Sequence, residues 1–245
     1  MTKMSYGQMA RIYDLLMEDA PYGKWVEFTK KMVHRFKPDA HTMLDVGCGT
    51  GEITHRLQQE GFQMTGIDLS SDMLTVAQQK DPRSNIKWMH QDMTALEGLK
   101  GYDCVISYCD VFNYLMEDHQ VQRAFDNIYH SLDAGGLFMF DVHSLDHIQE
   151  DLSGATFAEV RDDLSYIWFC DPGEKPNSVV HDLTFFVQNG KSFQRFDEVH
   201  EQRGYERKVL ECWLNQTGFE LLGLYSDFSE KPSSDGERWL FICRK

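Results

Sequence analysis

The stretch Leu44-Asp45-Val46-Gly47-Cys48-Gly49-Thr50-Gly51-Glu52 carries a short apolar run, Thr42 to Val46, into three alternating glycines and then into a helical segment, Ile53 to Gln59. At such a strand-to-helix turn the backbone N–H groups point outward, and glycine lets the chain approach a ligand where a Cβ would collide. The dinucleotide fingerprint GxGxxG requires a glycine where this chain has Glu52. An acid there sits badly beside a pyrophosphate, so the turn favours a ligand without phosphate, cations included.

Outward from the turn, strand-like and helical segments alternate. Two amphipathic runs precede it, Met9 to Met17 and Tyr22 to Phe36, the second set between Pro21 and Pro38. After it come a strand at Gln63 to Ile67, a helix at Ser71 to Lys80 capped by Ser70 or Ser71, and a strand at Ile86 to His90. A strand at Tyr102 to Ser107 and a helix at His119 to Leu132 follow. Beyond an Ala134-Gly135-Gly136 turn, a fifth strand runs from Leu137 to Val142. This rhythm predicts an α/β fold with a Rossmann-like, doubly wound, mostly parallel sheet covered on both faces.

Near residue 154 the rhythm breaks. Ala158 to Cys170, Val179 to Asn189 and Ser192 to Gln202 read as three antiparallel strands, with Asn189-Gly190 as a hairpin signal. A helix at Glu206 to Gln216, stopped by Gly218, and segments at Phe219 to Phe228 and Arg238 to Cys243 then close the sheet, its last strand antiparallel. The expected organisation is a main domain of residues 1–153 and 205–245 with a β insertion, 154–204, capping the site.

In a doubly wound sheet the carboxyl ends of the strands face one ligand crevice. Asp45 stands just before the glycines. Asp68 ends the second strand, where a carboxylate can accept two ribose hydroxyls. Asp92 follows the third strand, in His90-Gln91-Asp92-Met93.

These residues resemble class I S-adenosylmethionine-dependent methyltransferases. LDVGCGTGE looks like their first motif, GIDLSSDML their second-strand acidic motif, QDM their adenine motif, and DCVISYCDVFNYL the segment after the fourth strand. The resemblance covers roughly residues 40–145. It implies that Gly47, Cys48, Gly49 and Gly51 shape a methionine pocket, that Asp45 orients the loop and the amino group, and that Asp68 and Leu69 lie at the ribose. By the same resemblance Gln91, Asp92, Met93 and Met73 would meet adenine, Ser107, Tyr108 and Asp110 would border the reacting sulfonium, and Tyr13, in ARIYDLLM, belongs to an N-terminal cap.

Methyl transfer from a sulfonium is an in-line displacement, so alignment matters more than acid–base chemistry. The expected acceptor is a small molecule. Its pocket is sought among Tyr6, Tyr13, Tyr22 and Trp25, the pair Asn113 and Tyr114, and Asp141 with His143. His143 is the candidate base, ahead of His90, Asp110 and Asp141. The competing readings are a nicotinamide oxidoreductase, disfavoured by Glu52, a methyltransferase acting on protein or RNA, and a non-catalytic S-adenosylmethionine-binding protein.

The chain has 245 residues, enough for one main core, and a formal net charge of −15. That field repels phosphate backbones and disfavours nucleic-acid partners. Six cysteines without a CxxC pair suggest reduced thiols, and no metal-ligand spacing stands out, so no metal is expected. With no signal-like or membrane-length apolar run, the sequence predicts a cytoplasmic monomer or homodimer without membrane contact.

Overall fold

The computed structural model describes residues 6–245, with side chains from Ala10 onward except that of Arg11. Seven strands form the main sheet: β1 (Thr42–Val46), β2 (Gln63–Asp68), β3 (Lys87–His90), β4 (Tyr102–Ser107), β5 (Leu132–His143), β10 (Glu220–Ser226) and β11 (Arg238–Arg244). Their order is β3-β2-β1-β4-β5-β11-β10. All neighbours are parallel except β11, which runs antiparallel to both β5 and β10.

Alternation along the strands feeds two apolar layers. Leu44, Val46, Val105, Phe138 and Phe140 face α5 (Asp118–Ser131) and α6 (Arg207–Thr217), joining Phe125, Ile128, Leu210 and Leu214. Met43, Met64, Cys104, Ile106 and Met139 face the other way, against α2 (Tyr22–Phe36) and α3 (Glu52–Gln59), joining Phe28, Met32 and Leu57. Because β1 lies between β2 and β4, its C-terminal turn opens at the middle of the sheet edge. Helix α4 (Ser71–Lys80) starts on the predicted cap: Ser70 Oγ accepts from the Met73 N–H at 3.2 Å.

Two strand expectations need correction. The Ala134-Gly135-Gly136 segment is not a turn before β5 but lies inside it: the Gly135 N–H donates to Lys245 O, the Lys245 N–H donates to Gly136 O, and the β4 register shifts between Tyr102 and Cys104. An irregular ladder, with Gly135 at φ 76°, absorbs the residues that looked like a turn. The insertion has four strands instead of three. Arg161-Asp162-Asp163 reverses the chain inside the first predicted stretch and divides it into β6 (Thr156–Val160) and β7 (Leu164–Pro172). They continue into β8 (Ser178–Asn189) and β9 (Ser192–Arg203) as an antiparallel meander, β6-β7-β8-β9. Asn189 pairs with Ser192, so Gly190 and Lys191 make the hairpin turn.

A single wide helical turn, His147–Leu152, leads from β5 to this second sheet, burying Ile148 and Leu152 against Cys170 and Val179. Helix α1 (Tyr6–Leu16) joins the sheet through a small cluster of Ile12, Leu164 and Phe185.

Candidate functional site

The glycine turn is held from behind and open in front. The N–H groups of Gly47 and Cys48 both donate to Ile67 O, at 2.8 and 2.9 Å. A Cβ on Gly47 would stand 2.6 Å from Val111 Cγ1, and one on Gly51 2.5 Å from the Trp88 ring, while one on Gly49 would meet nothing within 4 Å. With φ between 54° and 77° at the three positions, side chains are excluded on conformational grounds as well. Gly51 therefore serves helix packing behind the turn, and Gly47 and Gly49 face the crevice.

Two carboxylates flank this opening. Asp68 Oδ2 accepts from the Gly49 N–H at 2.8 Å and Oδ1 from the Ser70 N–H at 2.7 Å. Burial pushes its pKa up, and these backbone donors pull the other way. Asp45 is more deeply buried, with the Thr54 hydroxyl donating at 2.6 Å. Burial, aided by the charge of Asp68, raises its pKa to about 7.

Three cavities that share Tyr13 lie at and beside the turn. The first, about 40 Å³, lies among Tyr22, Asp45, Cys48, Glu52 and Tyr108. Among the described residues no lysine, arginine or histidine lines it. The second, about 320 Å³, runs along Asp68, Leu69, Met73, Gln91, Asp92 and Met93. The third, about 330 Å³, lies between Cys109, Asp110 and His143 on the main sheet and Tyr166, Trp168, Phe185 and Gln202 on the second. Tyr13 lines all three, and Gly47 and Gly49 line the first two.

Most of the expected cofactor residues thus converge on one crevice. Asp92 also organises its own loop, accepting from the Thr94 N–H and hydroxyl at 2.7 and 2.8 Å, and the Gln91 amide pairs with the Glu97 backbone. Ser107 and Gly51 stand apart from the cavities: the Ser107 hydroxyl donates to Val46 O at 2.8 Å and ties β4 to β1. Asp110 belongs to the third cavity, not to the first two. Thr94 and Gln120 line the second cavity without having been singled out in the sequence, and Ser70, read there only as a helix cap, lines it too. Gln120 sits on α5 and carries no local signal for this place.

The residues sought for the acceptor fall in different places. Trp25 is buried, its indole N–H donating to Asp141 Oδ2 at 2.6 Å. Asp141 is fully buried, accepts the Asp110 N–H at 2.7 Å and pairs with Arg238 at 3.0 Å, so it is committed to structural partners and lines none of the cavities. Asn113 is buried between Arg203 O and the His143 N–H, to which its amide donates and from which it accepts. His90 bonds Leu69 O at 2.8 Å and lines none of the three cavities. Tyr22 lines the first cavity instead of the third, Tyr114 the second and third, and the Tyr6 side chain lies outside the described residues.

Asp110 accepts from Gln202 Nε2 at 2.6 Å and from Arg238 Nη2 at 3.0 Å. Burial alone would raise its pKa, yet His143, Arg238 and Gln202 bring it down to about 2, too low for a base. His143 lines the third cavity, with Nε2 3.5 Å from Asp110 Oδ1. Burial outweighs that carboxylate and lowers the imidazole to about 4, so the ring is neutral near pH 7 and weakly basic. His147, Asp151 and Glu237 bring three donor atoms within 4.8 Å, but both carboxylates are exposed and none of the three residues lines these cavities.

Comparison with known proteins agrees with this architecture. A family model described as "Methyltransferase domain" matches residues 43–136. Two bacterial proteins bearing the name "putative methyltransferase" align along nearly the whole chain. The one from Geobacillus sp. strain WCH70 is 44% identical over 251 residues, covering 99% of this chain and 100% of its own. The one from Bacillus subtilis strain 168, YqeM, is 41% identical over 245 residues, covering 99% and 98%. A crystal structure of an S-adenosylmethionine-dependent methyltransferase from Clostridium acetobutylicum superposes with a TM-score of 0.88 at 27% identity, covering 98% of each chain. S-adenosylmethionine-bound CalS10 of Micromonospora echinaspora, an amino pentose methyltransferase, shares the fold at 17% identity, with a TM-score of 0.79 over 95% of this chain and 96% of its own. The chain belongs to the class I S-adenosylmethionine-dependent methyltransferases, and S-adenosylmethionine is its cofactor.

The crevice suits that molecule. The open side of Gly49 leaves a cradle that a Cβ would fill, the acidic first cavity favours an ammonium group, and the carboxylate of Asp68 borders the second cavity. Among the described residues no helix is long and apolar enough to cross a membrane.

Proposed function

We propose that this enzyme methylates a small molecule bound in the third cavity, with the cofactor held along the first two. The carrying observation is the position of Tyr13, which lines all three cavities and so marks where donor and acceptor meet. In this reading Asp68 holds the ribose, the Gln91 to Met93 segment and Met73 border adenine, and Asp45 with the first cavity takes the amino end. When bound, S-adenosylmethionine supplies an electrophilic methyl group on a positively charged sulfur.

The protein's own part is alignment and exclusion of water. Tyr13, on α1, closes the meeting point, and the inner face of β7, β8 and β9 roofs the acceptor, which supports treating residues 154–204 as an acceptor-capping insertion. Its volume of about 330 Å³ falls in the range of small-molecule sites. The net charge of −15 further disfavours RNA. Because α1 and the insertion share the Ile12, Leu164 and Phe185 cluster, they form a single roof.

The test is formation of S-adenosylhomocysteine across a panel of small acceptors, a folded peptide library and RNA. Turnover confined to small acceptors supports the reading; turnover confined to peptide or RNA would refute it.

A further inference from the structure

The walls of the third cavity narrow the acceptor's chemistry, on the reading that this cavity receives the methyl acceptor. We propose that the acceptor is an amine on a ring-bearing apolar body, bound as its uncharged free base, and that its nitrogen takes the methyl group.

Charge is the first argument. Among the described residues no lysine or arginine lines the cavity. Arg238 lies just behind Asp110 but is committed to it and to Asp141, both at 3.0 Å. That one guanidinium is shared between two carboxylates and offers no charge to a ligand. A carboxylate or phosphate acceptor would be buried there without a partner, at a cost that rules out tight binding.

Shape is the second. Antiparallel register places Trp168 opposite Leu183 and Tyr166 opposite Phe185, so these four side chains share the inner face and present an apolar wall. Tyr13 and Tyr114 face them from the other elements.

The third argument is the lack of a competent base. The titratable groups facing the acceptor are Tyr13 from α1, Cys109, Asp110 and Tyr114 from the segment after β4, His143 from β5, Tyr166 from β7, His181 from β8 and His200 from β9. Burial holds Tyr13 and Cys109 protonated and lowers all three imidazoles, His143 and His200 to about 4. His181 is further fixed as one tautomer: Nδ1 accepts from the Trp168 indole at 3.0 Å, so its Nε2–H donates to Gln202 Oε1 at 3.1 Å. A hydroxyl acceptor must lose its proton during transfer, and nothing here takes it well. An amine needs no such help. Its lone pair forms the N–C bond as the C–S bond of the sulfonium breaks, the bonding pair returns to sulfur to leave the thioether, and the product ammonium sheds its proton to water on release.

The experiment is calorimetry on protein saturated with S-adenosylhomocysteine, titrated with phenethylamine, tryptamine, their carboxylate counterparts hydrocinnamate and indolepropionate, and para-ethylphenol. Amines should bind at least about tenfold more tightly than the carboxylates, a modest share of the cost of an unpaired buried charge. With S-adenosylmethionine they should be methylated on nitrogen, at rates that rise with pH in step with each amine's own pKa. In a Leu183→Arg variant shown by circular dichroism to be folded, the preference should turn toward hydrocinnamate. Equal or tighter carboxylate binding, methylation of the phenol in preference to the amines, or no binding by either series would overturn the proposal. Failure of S-adenosylhomocysteine itself to bind is a separate result, and it would bring down the site assignment beneath it.

Discussion

Gln202, near the end of β9, donates its side-chain amide to Asp110 Oδ2 across 2.6 Å, joining the second sheet to the loop after β4 at the wall of the third cavity. The same amide's oxygen accepts from His181, and Asp110 in turn is held by Arg238 and His143. The second sheet is therefore fixed to the main sheet by a continuous polar chain along the third cavity.

Replacing Gln202 with Leu should loosen that link without touching the cofactor crevice. Loss of a hydrogen bond to a charged group costs about 1.5–3 kcal/mol, so kcat/KM for the acceptor should fall roughly tenfold to a hundredfold. The Kd for S-adenosylhomocysteine should stay within about twofold, since Gln202 lines only the third cavity. Paired steady-state kinetics and calorimetry make the comparison; equal losses in both would show that the amide supports the whole site.

Cofactor binding should depend on pH through Asp45. In the free protein its pKa is raised to about 7, so below that pH the group is largely protonated and neutral. The cofactor's ammonium favours the carboxylate, so affinity should rise as pH increases toward about 7 and level off above it, with a proton released on binding below that point. The shift also acts on folding: between about pH 4 and 7 the native state holds a proton that the unfolded chain has lost, so Asp45 lowers the free protein's stability as pH rises through that window. Calorimetry in buffers of different ionisation enthalpy reads the proton count, and Asp45→Asn should abolish it.

Helix α1 is clasped to the glycine turn by Asp14, which accepts from the Thr50 hydroxyl at 2.6 Å and from Lys80 Nζ at 2.8 Å. Both charged partners are partly exposed, so solvent discounts the pair. Asp14→Ala should weaken S-adenosylhomocysteine binding by about 1 kcal/mol, roughly fivefold, chiefly through faster dissociation. Stopped-flow release rates check this, and an unchanged rate would mean that α1 is held by its apolar contacts alone.

How far the sequence reveals this site depends on how local each relationship is. The glycine turn, Asp45, Asp68 and the Ser70 cap sit within one strand-turn-helix unit or its repeat, and their spacing already places them. Asp141 looked like a base because it ends a core strand, but its partners Trp25 and Arg238 lie 116 and 97 positions away and no local pattern announces them. Gln202 was invisible for the same reason, 92 residues from Asp110. Arg161-Asp162-Asp163 was missed as a turn because it holds neither glycine nor proline, and the glycines at 135 and 136 were over-read because they sit in an irregular ladder.

The central claim is that the crevice beside the glycine turn holds the cofactor, with the Asp68 carboxylate on its ribose. Calorimetric titration of S-adenosylhomocysteine into Asp68→Asn, a change that keeps an oxygen to accept a backbone N–H, tests it most directly. The account predicts an unchanged circular dichroism spectrum and binding weaker by about 1.5–3 kcal/mol. Affinity equal to that of the unmodified protein would contradict it.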